Sequence, residues 1–275
     1  MAAYNAGMYI GEAIESVLKQ SFSAFELILV DDGSTDNTGE VIRSYADSRI
    51  KLIKNGHDYI GSLNTGLATA KGKYIARMDS DNIMHIDRLK IQYAVMEEEP
   101  DITVCGSWVS PFGENIPKGN VSQTIYGMID CPLLLFMKEN FIFHPTTMIR
   151  SGFLWEHSFR YEKYECGEDY KLWVEITKKG GNFYVETQPL LYYRVSEQQV
   201  SDRKREAQKE TSSRIKKEIL NYLMQLNSKK YTGIEKMAEA LLLAKEEGLM
   251  DDSDIFSFFC ALYVKNKNIL SMVIK

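Results

Sequence analysis

Glu26-Leu27-Ile28-Leu29-Val30-Asp31-Asp32-Gly33-Ser34-Thr35-Asp36 is the stretch on which the fold turns. The run from Glu26 to Val30 is too short for a helix, is bounded by turn residues, and has the near-continuous apolar character of a strand buried on both faces. Asp31 to Asp36 then form a turn able to cap the next helix, whose apolar positions include Val41, Ile42 and Tyr45. On the amino-terminal side, Tyr9 to Gln20 places Ile10, Ala13, Ile14, Val17 and Leu18 on one face, which predicts an amphipathic helix opening after Asn5. On the carboxyl side, Arg49 to Lys54 reads as a short strand and Ile60 to Ala70 as a helix burying Leu63, Leu67 and Ala70. Lys73 to Met78 is a further strand, leading into Asp79-Ser80-Asp81.

This β-α-β-α-β order implies an α/β fold with a largely parallel sheet covered on both faces. A buried strand should precede the first helix, yet Met1 to Asn5 leave no room for one. Two explanations stand: a start placed at an internal methionine, which is the expectation, or a fold that leaves sheet edges and apolar surface uncovered.

The 275 residues, 44% of them hydrophobic, suffice for a substantial core in one large domain or in one domain with an appendage. A net charge of −5 argues against a protein that coats nucleic acid, because phosphate neutralisation needs a basic face. No apolar run approaches the roughly 20 residues that span a bilayer, and the amino terminus lacks a signal core, so a cytoplasmic protein is expected. Cys105, Cys131, Cys166 and Cys260 are too dispersed for a zinc site and read as reduced thiols. The texture changes near Ser201: residues 1–201 form the α/β domain, and residues 202–275, charged and almost free of Gly and Pro, form a helical appendage.

The chemistry lies in carboxylates. Asp79 and Asp81 stand two residues apart at the end of a strand, so both side chains project to the same side. Open α/β sheets bind ligands at the carboxyl ends of their strands, and Mg²⁺ or Mn²⁺ beside phosphate oxygens is held by one or two carboxylates. Taken alone the triplet reads equally as a solvated turn. What favours a site is the second acidic loop at Asp31-Asp32, which ends a neighbouring strand and should meet the first on one rim. A third acidic position is Asp169 in Gly167-Glu168-Asp169-Tyr170-Lys171-Leu172-Trp173, at the start of a helix with Leu172, Trp173 and Ile176 on one face. The positive end of the helix dipole favours negative charge there. Such a carboxylate can take a proton from an incoming hydroxyl, or simply cap the helix with Glu168.

Six stretches taken together resemble glycosyltransferase family 2: Ala2-Ala3-Tyr4-Asn5-Ala6, Ile14 to Phe22, Val30 to Asp36, Asn64-Thr65-Gly66-Leu67, Tyr74 to Asp81 and Gly167 to Trp173. They occur in the family's order across residues 1 to about 201. The resemblance implies a three-layer α/β/α fold of the GT-A type, which binds a nucleotide-sugar donor, with uridine favoured as its base, and usually inverts the anomeric centre. It implies that Tyr4 packs on the donor base and that Asp32 accepts from it. Asp79 would approach the ribose or reach the metal, Mn²⁺ or Mg²⁺, through water, and Asp81 would ligate the metal directly. Asp169 would be the general base, with Glu168 supporting it or contacting the acceptor. Arg77 would steady a carboxylate or reach phosphate, or form an ordinary salt bridge; His144, in a further family-like stretch, would lie by the acceptor or serve structure. Two positions depart from the family pattern: Asn82 where Asp is frequent, and Ser196 where a His is frequent. The processive signature Gln-x-x-Arg-Trp is absent from the sequence, which favours transfer of a single sugar.

By the same resemblance the setting is bacterial cell-surface polysaccharide or oligosaccharide synthesis, with a saccharide or lipid-linked saccharide as acceptor. The basic tail from Asp202 to Leu226 carries an apolar stripe of Ile215, Ile219, Tyr222, Leu223 and Leu226. It reads first as a helix packed on the protein, and alternatively as a peripheral contact with the inner membrane face. Helices at Ile234 to Glu247 and Ile255 to Tyr263 would serve docking or a homodimer contact. The alternative function is a non-catalytic nucleotide-sugar-binding or scaffold protein. A nucleotidyltransferase lacks support because Ala2 to Gly7 offers no Gly-rich phosphate cradle.

Overall fold

The computed structural model describes residues 1–113, 124–195, 204–228, 234–255, 257 and 258. They fall into two compact units. The first comprises Met1–Ile129, Ile142–Lys163 and Gly181–Arg203, and the second comprises Asp130–Phe141, Tyr164–Gly180 and Lys204–Lys275.

The first unit begins with β1 (Ala2–Ala3), α1 (Ile10–Leu18), β2 (Leu27–Asp31), α2 (Thr38–Arg43), β3 (Ile50–Lys54), α3 (Tyr59–Thr69) and β4 (Tyr74–Ala76), the alternation expected. β1, β2 and β3 form a parallel sheet in that order. A two-residue strand therefore stands where the sequence seemed to leave no room for one, pairing Ala2 with Val30 and Ala3 with Asp31. Leu27 and Leu29 share a core with Ile10, Ala13, Ile14 and Val17 of α1 and Ile42 of α2. Val30, pointing the other way by strand alternation, meets α3 at Gly66. Helices thus cover both faces of this sheet.

The second sheet runs β4, β8 (Met148–Arg150), β6 (Ile102–Gly113), β9 (Asn182–Val195), β5 (Ile83–Met84), with β7 (Gly127–Met128) also on β9. It is mixed. β6 and β9 are parallel, whereas β4 with β8, β8 with β6, and β5 with β9 are antiparallel. The expected mostly parallel to mixed sheet is found, parallel in β1 to β3 and between β6 and β9, and antiparallel where β8 and β5 meet their neighbours.

A polar pair ties this sheet to α4 (Arg88–Glu98). Arg88 is fully buried, and its guanidinium donates to the carbonyls of Pro145 at 2.8 Å, Arg77 at 2.8 Å and Thr147 at 3.3 Å. Its Nε donates to Gln92 Oε1 at 3.0 Å, and Gln92 Nε2 donates to the carbonyls of Cys105 and Thr146 at 2.9 and 2.8 Å. Burial pushes the Arg88 guanidinium down to about 9, which leaves it charged at neutral pH.

The second unit is helical: α5 (Pro132–Lys138), α7 (Glu168–Lys178), α8 (Arg205–Ser228) and α9 (Ile234–Glu246), while α6 (Ser151–Glu156) belongs to the first unit. Leu133 and Phe136 of α5, Trp173 and Ile176 of α7, and Ile215, Ile219 and Leu223 of α8 are buried. Ile215, Ile219 and Leu223 of the tail's apolar stripe are therefore packed. Lys171 of α7 bonds Glu175 at 2.8 Å and Glu218 of α8 at 2.6 Å. Leu226 and most of the helix expected at 255–263 lie outside what the structure describes at side-chain level. Among the described residues no helix is long and apolar enough to cross a membrane.

Replacing Arg88 by Met would keep volume near the guanidinium stem but remove the side-chain donor from the carbonyls of Pro145 and Arg77 and from Gln92 Oε1, while the Thr147 carbonyl keeps the Arg77 N–H. The expected cost is about 3 kcal/mol or more, seen as a lower urea midpoint by far-UV circular dichroism. An unchanged midpoint would show that the carbonyls find other partners.

Candidate active site

The carboxyl ends of β1 and β2 are stitched together by side chains acting on backbone. Asn5 N–H donates to Ser34 Oγ at 3.0 Å, and Asn5 Oδ1 accepts from Thr35 N–H at 2.8 Å. Ala6 N–H donates to Thr38 Oγ1 at 2.8 Å, and Gly7 N–H to Asp36 Oδ2 at 3.0 Å. Asn5 holds a left-handed φ of 46°, which Asn tolerates better than most residues. This turn presents the ring of Tyr4, 45% exposed, against His57 with centroids 4.3 Å apart.

Below that ring Asp32 is buried, and its Oδ1 accepts from Asp58 N–H at 2.7 Å and Ser62 Oγ at 2.8 Å. One carboxylate oxygen is thereby fixed and orients the other. The next residue along α3, Tyr59, accepts through its hydroxyl from Arg77 Nη2 at 3.1 Å, and Arg77 Nη1 pairs with Asp79 at 2.6 Å. Asp32 and Asp79 are thus connected through Asp58-Tyr59 and Arg77, so the two acidic strand ends do belong to one hydrogen-bonded rim. Burial works against the Arg77 charge, but Asp79, Tyr59 and Tyr161 outweigh it and raise its pKa.

Asp81 differs. Burial first, and the neighbouring Asp79 second, push its carboxyl up to about 6, against the opposing pull of Arg77 and Arg194. Arg194 accounts for the position of this turn: its Nε donates to the Asp81 carbonyl at 2.8 Å and its backbone N–H to Asn82 Oδ1 at 2.9 Å. The guanidinium lies over the rings of Tyr9 and Phe112, 4.3 and 4.5 Å from their centroids, and pairs with Glu12 at 2.5 Å. Asn82, buried, uses its amide nitrogen toward Asp79 Oδ2 at 3.4 Å.

Among the described residues no group of three or more His, Cys, Asp or Glu encloses a metal position. Asp81 with Asp79 supplies two carboxylates at one turn, one of them penalised when ionised. That donor set fits Mg²⁺ or Mn²⁺, which keep waters and share substrate phosphate oxygens instead of requiring an all-protein cage.

Arg77 is in an ion pair with Asp79, so it steadies a carboxylate. His144 is buried; burial and then Arg77 hold its pKa well below the usual imidazole range, and its Nε2 lies 2.7 Å from Tyr161 Oη. His144 thus sits inside the hydrogen-bonded core, where burial disfavours its charged form. Glu168 and Asp169 belong to the second unit, in the first turn of α7. Gly167 is the N-cap of α7, and Asp169 Oδ2 accepts from Asn140 Nδ2 at 2.9 Å. A side chain at Gly167 would lie 2.5 Å from Thr211 of α8, which explains the glycine there. Ser196 and residues 114–123 of the expected acceptor loop lie outside the described residues.

The sequence did not single out Asp58, Tyr59, Ser62 or Arg194. Asp58 carried a signal, since it caps α3 by accepting from Gly61 N–H at 3.2 Å. Arg194 carried none, because its bonds to the Asp81–Asn82 turn span more than a hundred residues.

Parallel βαβ units with helices on both faces, followed by a mixed sheet, make up the GT-A fold of sugar transferases. The chain belongs to glycosyl transferase family 2, whose family model matches residues 1–158. Among curated proteins it is 33% identical over 241 residues to an uncharacterized glycosyltransferase of Haemophilus influenzae, covering 82% of this chain and 73% of the relative. It is 32% identical over 220 residues to an Escherichia coli protein named UDP-Glc:alpha-D-GlcNAc-diphosphoundecaprenol beta-1,3-glucosyltransferase WfaP, covering 74% of this chain and 79% of that one. Among solved structures, S. aureus TarS 1-349 in complex with UDP-GlcNAc matches with a TM-score of 0.62 at 21% identity, over 72% of this chain and 58% of TarS 1-349. The last likeness concerns the fold.

Asn82→Asp tests the rim's charge balance, because it removes the donor facing Asp79 and adds a carboxylate between Asp79 and Arg194. A stability loss of about 1–2 kcal/mol is expected in metal-free buffer by chemical denaturation, with part recovered on adding Mn²⁺. No loss would mean that Asp79 and Asp81 are already screened by solvent.

Proposed function

We propose that this chain transfers a single sugar from a UDP-sugar to an acceptor hydroxyl with inversion, in cell-surface polysaccharide or oligosaccharide synthesis. The observation that carries this is the Asp79–Asp81 turn, which concentrates negative charge at a strand end beside the Asp32 and Tyr4 rim. UDP is favoured because the E. coli relative is named for UDP-Glc and the TarS complex holds UDP-GlcNAc. A lipid-linked saccharide is the favoured acceptor class, on the diphosphoundecaprenol in the relative's name.

Tyr4 offers an exposed ring on which the base stacks, and Asp32 offers the carboxylate oxygen left over from Asp58 and Ser62 to a donor group on it. Asp79, held by Arg77, orients toward the ribose. Asp81 and Asp79 would hold Mn²⁺ or Mg²⁺, which neutralises charge on the departing diphosphate. Asp169, in the first turn of α7, accepts the proton of the acceptor hydroxyl as that oxygen attacks the anomeric carbon from the face opposite the diphosphate. Glu168 contacts the acceptor or supports Asp169.

Purified chain with Mn²⁺ and a panel of UDP-sugars should release UDP slowly by hydrolysis and faster with a suitable saccharide acceptor. Asp81→Ala should abolish release, and Asp169→Asn should lower acceptor-dependent kcat by about 10²–10⁴-fold while donor binding, read by thermal shift, persists. Pyrophosphate among the products would replace this reading with nucleotidyl transfer. Neither release nor a donor-induced thermal shift would leave a non-catalytic scaffold.

A further inference from the structure

Three left-handed residues frame the turn that carries Tyr4: Asn5 with φ 46°, Gly33 with φ 79° and His57 with φ 48°. Asparagine and glycine take that region at little cost, whereas a histidine Cβ is crowded there by the following carbonyl. The turn between β3 and α3 nevertheless puts its left-handed backbone at His57 and not at the adjacent Gly56. Both flanks of that turn are tied. Asn55 N–H donates to the Asp31 carbonyl at 2.8 Å and Asn55 Nδ2 to Ser62 Oγ at 2.8 Å, while Asp58 N–H donates to Asp32 Oδ1 at 2.7 Å. The turn also lies hard against the end of β2: a Cβ on Gly33 would stand 3.1 Å from the His57 nitrogen. A backbone fixed in this way holds a strained residue in place, and such residues gather at functional sites.

The His57 imidazole lies against the Tyr4 ring, with centroids 4.3 Å apart and planes 36° from each other. Tyr4 follows a strand of only two residues and is 45% exposed. Its backbone is set through Asn5, which bonds Ser34 and Thr35. Its ring direction is a separate matter, because a ring this exposed turns about two side-chain bonds and loses that freedom when something stacks on it. A neighbour on one face removes the freedom before a ligand arrives, so less is lost on binding. An aromatic neighbour does so with an attraction beyond its buried area.

We propose that His57 is a positioning residue of the donor site: it packs on one face of Tyr4 and holds the opposite face set for the base of a nucleoside diphosphate. This role rests on the reading of Tyr4 as the base platform. It accounts for the left-handed backbone at a residue with a side chain. With Asn55 and Asp58 tied, that φ aims the Cα–Cβ bond of residue 57, and a glycine, which would adopt it more easily, would leave Tyr4 unbacked. Turn geometry alone would favour the glycine. The position therefore sets ligand affinity against local stability.

The test measures UDP binding with Mn²⁺ by calorimetry, together with thermal unfolding, for the wild-type chain, His57→Ala, His57→Gly, His57→Phe and Tyr4→Ala. Loss of the ring in His57→Ala and His57→Gly should raise the Kd for UDP by about five- to tenfold, and the KM for a UDP-sugar by a larger factor than kcat falls. His57→Phe, which keeps a ring without the imidazole nitrogens, should bind UDP within about twofold of wild type. Stability should separate the two ring deletions: His57→Gly suits the left-handed backbone and should melt about 2–4 °C above His57→Ala. Weaker binding by the more stable variant is an outcome that a merely structural role would not give. Wild-type affinity in both ring deletions would overturn the proposal. So would tighter UDP binding by His57→Gly, which would put the imidazole in the place of the base, or a His57→Phe chain as weak as His57→Ala, which would make the imidazole itself a donor contact. A wild-type chain that binds no UDP, or Tyr4→Ala binding it as wild type does, would sink the reading of Tyr4 and this role with it, and neither result resembles a failure at His57 alone.

Discussion

Arg88 is the constraint on which the catalytic rim depends. A guanidinium with no exposed surface and no bonded carboxylate is an expensive group to bury, and it is tolerated only because carbonyls take up its donors. Those carbonyls are not scattered. Arg77 leads directly into the Asp79–Asp81 turn, while Pro145 and Thr147 frame the segment that feeds β8. Fixing the Arg77 carbonyl from behind sets where its side chain can go, and the side chain in turn holds Asp79 and reaches Tyr59. The chain of cause runs from a buried cation in α4 to the orientation of the Asp79 carboxylate.

At the front of the rim the balance is electrostatic. Asp79 is paired with Arg77, whereas Arg194 holds Asp81 through its backbone carbonyl. A carboxyl raised from 3.8 to about 6 carries a penalty on the order of 3 kcal/mol on its ionised form. A positive charge placed beside it would offset that penalty. The strain is therefore placed where binding energy can be concentrated. Arg194 contributes by geometry as much as charge, since stacking over Tyr9 and Phe112 fixes its plane while Glu12 screens it.

Periodicity was legible wherever an element buries a face of its own. The apolar run of β2, the stripe of α1 and the Leu172–Trp173–Ile176 face of α7 all appear where the spacing put them. The second sheet was much less legible, because β6 and β9 are long strands whose order and direction depend on pairings across some eighty residues, such as Val104 with Phe183. The partition of contacts was equally hidden: α7 groups with α5 and α8 through Trp173 and the Lys171–Glu218 pair, which no local pattern announces. At the rim, acids could be read from strand-end positions, but the groups that aim them could not. Ser62 looks like any helical serine until Asp32 accepts its hydroxyl, and Arg194 is one arginine among many until its backbone and side chain both clasp the Asp81–Asn82 turn.

The gap between the two sheets and the rim are parts of one mechanical problem. Tyr4 and Asp32 are carried at the carboxyl ends of β1 and β2, Arg77 and Asp79 at that of β4, and between these strands the backbone ladder is interrupted. The Arg77–Tyr59 bond crosses that interruption, where side-chain hydrogen bonds stand in for a ladder. Side-chain bonds at the surface are individually weak and open more readily than a sheet. The separation of the two acidic strand ends therefore rests on Asp58, Tyr59 and Arg77 and not on a ladder. Preorganisation of that spacing matters more to transfer than any added contact, because misplacing reacting groups by an ångström costs about two orders of magnitude in rate.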